Sequence, residues 1–195
     1  MANRNSAGFG FIPAGTLGNT PATNGLSEYF IVAGDTANKF NGMGVRVTAG
    51  YIVTGEDSNT GTTCGVLQGI FYNAATTLKP TFKNYYPGSI TPPSSGAIEA
   101  FVYDSPYQMF EVQSAATGAS DQADIFKCCD LASNGGSTAN GVSSLESADT
   151  FSAQATFKVL GVSRDPKNNE IGSANVNWRV MIDEHLLGSG TAGAG

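Results

Sequence analysis

The side chains able to do chemistry are few and scattered. The only histidine, His185, stands beside Asp183 and Glu184. On a strand, Glu184 points away from Asp183 and His185, so at most one imidazole and one carboxylate converge. That is short of the donor set of a zinc site. A Ser-His-Asp triad would have to use His185, and no Gly-x-Ser-x-Gly elbow displays a nucleophile. His185 is therefore expected at a hydrated strand end. Asp104 and Glu111 could serve as an acid and base pair for glycoside hydrolysis at a suitable separation. However, Asp104-Ser105-Pro106 reads as a turn with Asp104 capping its backbone. Cys64, Cys128 and Cys129 are odd in number with one adjacent pair. They fit neither a disulfide framework nor a zinc cluster, and are expected as buried or half-buried free thiols. The Gly/Ser/Ala run at 188–195 lacks the Gly-Lys-Ser/Thr of a phosphate loop. Tyr51, Tyr72, Tyr85, Tyr86 and Tyr107 could form a sugar-binding platform, but core or interface packing is the simpler use. Tyr72, Tyr85, Tyr86 and Tyr107 are the candidate interface aromatics. No catalytic residue, metal ligand or cofactor site is assigned, and the chain is read as non-enzymatic.

Composition narrows the partners. Only 13% of the 195 residues are charged, about half the usual share. Gly, Ser, Thr, Asn and Ala fill the gap, giving a polar, weakly charged surface that suits a protein held in an assembly. The net charge is −6 and the ten Lys and Arg residues are scattered singly. No basic run can displace counterions from a phosphate backbone, so nucleic acid is not an expected partner. No apolar run approaches the roughly 20 residues of a membrane-spanning helix. Met-Ala-Asn-Arg-Asn-Ser at the N-terminus has no apolar signal core, so synthesis in a reducing cytoplasm is expected.

The elements that must position these residues read as strands. The centre is 65–113. Residues 65–73 form a nearly unbroken apolar run, as in a strand buried on both faces. In 97–104, Ile98, Ala100 and Val102 share one face, with Glu99, Phe101 and Tyr103 on the other. Residues 28–33 and 45–49 are strands, and 51–54 extends the latter after a bulge at Gly50. Residues 122–131 fit helix and strand periods equally, and 132–144 reads as a long flexible loop. Residues 151–163 form a strand, Arg164 to Asn169 a turn, and 175–186 a last strand with Val176, Trp178, Val180 and Ile182 on one face. The burial expected is of Val66, Leu67, Ile70, Phe71, Val102, Phe110, Val112, Phe157, Val159, Trp178, Val180 and Ile182. The fold class is all-β: an antiparallel sandwich or barrel with long loops, comprising an extended arm at 1–27, one β domain at 28–187 and a flexible tail at 188–195.

The arm carries Phe9, Phe11 and Ile12 among helix-breaking Gly8, Gly10, Pro13 and Gly15. Ordering such a segment costs roughly 1–2 kcal/mol per residue. Each anchor returns roughly 1.5–3 kcal/mol when buried. The arm is thus expected to order only against a partner, with strand addition helping. Deleting 1–12 is expected to leave the β domain folded.

Several stretches together resemble a family. They are the Gly-Phe-Gly-Phe-Ile-Pro opening, 66–72, Lys79-Pro80-Thr81-Phe82, Tyr85-Tyr86-Pro87-Gly88, Val102-Tyr103-Asp104-Ser105-Pro106, Phe110-Glu111-Val112-Gln113 and Ile182-Asp183-Glu184-His185. This pattern is similar to small head-associated structural proteins of tailed bacteriophages, of the decoration or cement type. The resemblance implies a β-rich trimer or dimer on the capsid surface of a virion, with the major capsid protein as partner and no catalysis. The alternatives are a receptor- or carbohydrate-binding module of a tail or head fibre, another minor head or tail protein, or a virion glycosidase using Asp104 and Glu111.

Overall fold

The computed structural model describes residues 3–5, 7–18, 25–55, 62–93, 96–115, 120–133 and 135–188. Among them are twelve strands: β1 (Ile12–Thr16), β2 (Ser27–Ile31), β3 (Gly44–Thr48), β4 (Tyr51–Thr54), β5 (Thr63–Asn73), β6 (Pro80–Lys83), β7 (Ile98–Tyr103), β8 (Gln108–Gln113), β9 (Cys128–Ser133), β10 (Glu146–Ser152), β11 (Phe157–Val162) and β12 (Asn177–Ile182). They build two antiparallel six-stranded sheets that pack together, as the all-β reading expected. The first sheet has the order β1-β8-β12-β11-β9-β10. The second has the order β2-β7-β5-β3-β4, with β6 also paired to β5.

Alternation decides which face each strand buries. In β7, Ile98, Ala100 and Val102 are buried while Glu99, Phe101 and Tyr103 are half-buried. In β12, Trp178, Val180 and Ile182 are buried. Almost all of the long strand β5 is buried, because both its faces are covered. The core has two parts. Phe110, Val112, Phe157, Val159, Trp178 and Val180 of the first sheet pack with Val66 and Phe11. Ile31, Val45, Ile52, Leu67, Ile70, Ile98 and Val102 pack inside the second sheet, whose edge strands β2 and β4 come into contact as it coils. The chain turns as expected after Asp104, with the Gln108 N–H donating to the Ser105 carbonyl at 3.0 Å, and there it crosses between the sheets. Phe71 departs from the expected core and is half-buried, on the face of β5 opposite Ile70 and Tyr72.

Four local readings are corrected. Ala49 and Gly50 both have positive φ (49° and 81°) and join β3 to β4 with Thr48 opposite Tyr51. This is a tight two-residue hairpin turn, not a bulge. Residues 122–131 are neither one helix nor one strand. Asp121 caps a single 3-10 turn at Gln122–Asp124, and β9 follows. Residues 135–145 are hydrogen-bonded, with the Ser137 N–H donating to the Val142 carbonyl and Val142 bridging to Asn41. The strand expected over 151–163 is two strands, since the Thr156 N–H and hydroxyl both donate to Asp130 Oδ1 and turn the chain between β10 and β11.

The N-terminal segment is knitted into the domain. The Gly10 N–H donates to the Leu145 carbonyl and the Phe11 N–H to the Gly42 carbonyl. β1 then pairs with β8 and becomes an edge of the first sheet. Further back, Asn168 Nδ2 donates to the Arg4 carbonyl at 2.7 Å. Gly10 has φ 74°, and a Cβ there would meet the Gly42 carbonyl oxygen at 2.6 Å. The glycine that argued for a free arm is what lets the chain dock.

Candidate functional site: a groove beside the N-terminal strand

The groups that could do chemistry are held apart, each by its own partner. Beyond β12 the chain bridges to the start of β5: the Thr63 N–H donates to the Glu184 carbonyl and the Leu186 N–H to the Thr63 carbonyl. This carries His185 inside, with 2% of its surface exposed. The expectation of a hydrated strand end is therefore corrected. The Leu187 N–H donates to His185 Nδ1 at 3.0 Å, which fixes the neutral ring with its proton on Nε2. Burial lowers the pKa of His185, and the negative charge of Asp104 opposes that shift. Asp183 is not its partner. That carboxylate pairs with Lys158 and accepts from the Cys128 thiol at 3.5 Å.

Asp104 does not cap its own turn. It accepts from the Tyr29 hydroxyl at 2.9 Å, while the Ser105 hydroxyl accepts the Tyr107 N–H. Burial raises the Tyr29 pKa, and bonding to Cys64 and Asp104 adds to it. Glu111 lies in the other sheet and accepts from Asn177 Nδ2 at 3.1 Å. Asp104, in the crossing after β7, and Glu111, on β8, thus have separate partners. The three cysteines are buried free thiols. Burial pushes Cys64 and Cys128 upward and Cys129 up to about 12. Among the described residues, no three His, Cys, Asp or Glu side chains gather where a metal ion could be held.

The tyrosines are likewise dispersed. Tyr72 and Tyr86 are buried in the second sheet's core. The Tyr86 hydroxyl donates to the Asp35 carbonyl at 2.8 Å, and the Lys39 ammonium lies 5.0 Å from its ring. Lys39 is fully buried and pairs with Asp35 at 2.6 Å. Burial alone would raise the Asp35 carboxyl, but Lys39 and the Ala37 N–H outweigh it and hold it below the usual range. Tyr85 stacks on Phe40 at 5.7 Å. Of the four candidate interface aromatics, only Tyr107 is well exposed, at 60%. The shared tyrosine platform is not assembled.

The three candidate anchors separate in the same way. Phe11 packs against Phe157 at 4.6 Å and Phe110 at 5.7 Å, inside the domain's own core. It is not available to a partner. Ile12 is half exposed, and Phe9 is half-buried. Both line an open groove of about 600 Å³ with Pro13, Gln68, Tyr103 and Val142. Its rim carries Asn41, whose Nδ2 donates to the Gln68 carbonyl at 2.7 Å. The groove thus presents polar and apolar surface together.

Comparison with protein-family models, curated proteins and solved structures finds no match.

Two exposed side chains had no signal in the sequence. Leu78 and Phe126 are 69% and 71% exposed and have positive φ, 54° and 70°. Such a conformation costs an L-residue about 1–2 kcal/mol. Both are fixed by backbone hydrogen bonds: the Leu78 N–H donates to Ala74 and the Phe126 N–H to Val159. Each loop holds a bulky apolar side chain out in water at a conformational cost.

Proposed function

We propose that the chain is a non-enzymatic structural protein of a bacteriophage virion, a decoration or cement protein bound to the outside of the head. One observation carries the reading: large apolar side chains are exposed on several separate parts of the molecule. Ile12 and Leu17 lie at the β1 edge, Phe30, Val32 and Tyr51 where β2 meets β4, Phe82 on β6, and Leu78 and Phe126 on loops. An enzyme or a binder of one small ligand concentrates such groups around a single cleft. A subunit held by several neighbours distributes them. The low charge and the resemblance to head-associated proteins point the same way.

In this reading the protein is a dimer or trimer that bridges neighbouring major capsid subunits. A ligand that binds only the intact shell stabilises it by mass action. The groove beside Ile12 and the Leu78 and Phe126 loops supply the contacts. Purified protein added to undecorated heads should bind to a fixed copy number per shell and raise the temperature at which the genome is released. Recovery only in tail fractions, or binding without saturation, refutes it.

A further inference from the structure

Resting on that reading, we infer that Arg164 and Arg179 form a clamp for a carboxylate side chain of the protein partner, on the outer face of the first sheet. Arg179 lies on β12, opposite Glu111 of β8. Arg164 follows β11 in the connection to β12. With Glu111 and Ala14 they line a concavity of about 280 Å³. The chain has four arginines among 16 acidic and ten basic residues, and two of them meet here.

Neither guanidinium pairs with a carboxylate among the described residues. Arg179 donates to the Met109 sulfur at 3.5 Å, a weak acceptor. Glu111, on the same concavity, accepts through Oε1 from Asn177 Nδ2 and makes no ion pair with either arginine. Acidic groups outnumber basic ones in this chain, yet two planar, always-charged donors line one concavity without an ion pair among the described residues. Their chemistry matches a carboxylate gripped by two parallel N–H bonds.

The surroundings fit a protein better than a free anion. Across the sheet, Ile12, Glu111, Arg179 and Gly161 are lateral neighbours, as are Gly15, Met109, Met181 and Lys158. A Cβ at Gly161 would meet nothing within 4 Å. The face is low where the glycines lie and carries two methionines, side chains that adapt to irregular apolar partners. A partner surface with an acidic residue amid apolar ones is complementary to it in charge and shape.

The test has two arms. In the first, the isotope-labelled full chain is titrated with a capped pentaglutamate peptide and, separately, with inorganic phosphate, while the arginine side-chain signals are followed by NMR. The peptide should shift Arg164 and Arg179 saturably and leave Arg4 unmoved. Arg164→Gln with Arg179→Gln should weaken binding at least about fivefold, and added salt should weaken it further. Absence of a shift, an equal shift of Arg4, or phosphate acting as well as the peptide overturns the clamp. In the second arm, wild type and the double variant are bound to heads. Loss of occupancy in the variant alone supports the clamp. Equal occupancy overturns it while the virion assignment stands. If the peptide arm succeeds and wild type fails to bind heads, the virion assignment falls and the clamp stands.

Discussion

The two faces of the first sheet are made by the same strands, one residue apart, and they could hardly differ more. On the inner face Pro13, Phe110, Val180 and Val159 are lateral neighbours, and the last three are fully buried. One step along β1, β8 and β12, and across the bulge of β11, the outer face presents Ile12, Glu111, Arg179 and Gly161. The inner face is buried in the core, where every methylene counts. The outer face keeps glycines, methionines and two arginines that pair with no carboxylate among the described residues. The contrast separates residues that hold the fold from residues left free for contact, and Phe11 and Ile12 straddle the boundary.

The largest effects should come from the inner face. Trp178→Ala and Phe110→Ala should each cost roughly 3–5 kcal/mol in denaturant unfolding, because both are fully buried. A loss below about 1 kcal/mol would break the assignment of this face as core. Phe11→Ala should approach the same cost, since Phe11 packs on Phe110 and Phe157, whereas Ile12→Ala should cost less than about 1 kcal/mol. Equal, small effects for the pair would restore the free arm. Three anchors alone do not offset the cost of ordering the segment, but the hydrogen bonds to Gly42 and Leu145 and the pairing with β8 change the balance. Deleting 1–12 is now expected to destabilise the domain.

His185 adds a pH dependence from the same inward packing. Its folded pKa lies below the ordinary value because burial disfavours the charged ring. The unfolded chain takes up its proton near pH ~6.5, so the unfolded state binds more protons below that pH. His185 therefore contributes stability that is present above pH ~6.5 and lost as pH falls through the folded pKa. Thermal melts between neutral and mildly acidic pH should show this fall, and His185→Gln should flatten it. An unchanged slope in the variant would place the titration elsewhere. The smallest effect belongs to the outer face. Arg164→Gln with Arg179→Gln should change unfolding stability by no more than about 0.5 kcal/mol, in contrast to its effect on binding. A large loss would show that these arginines hold the fold.

What the sequence disclosed follows the reach of its signals. Alternation over Ile98 to Tyr103 and over Val176 to Ile182 was legible, because period-two burial is written locally. The turn between β11 and β12 was legible because Arg164 to Asn169 carries a strong local turn signal. β1 was not, since Gly8, Gly10, Pro13 and Gly15 erase periodicity and its order depends on partners distant in the chain. His185 was misplaced for the same reason: its burial is set by the bridge to Thr63. Tyr72 and Tyr86 were gathered with Tyr107 by residue type alone, and type does not record which face of a strand a ring occupies. The arginine clamp joins Arg164 in a turn to Arg179 on a strand, and no spacing rule connects them.

The most direct measurement is a cryo-EM reconstruction of heads carrying the bound protein. The account expects its density on the outside of the shell, with the outer face of the first sheet toward the capsid and Arg164 and Arg179 against an acidic residue of the shell subunit. Density confined to the tail, or a bound protein whose outer face is turned to solvent, would contradict it.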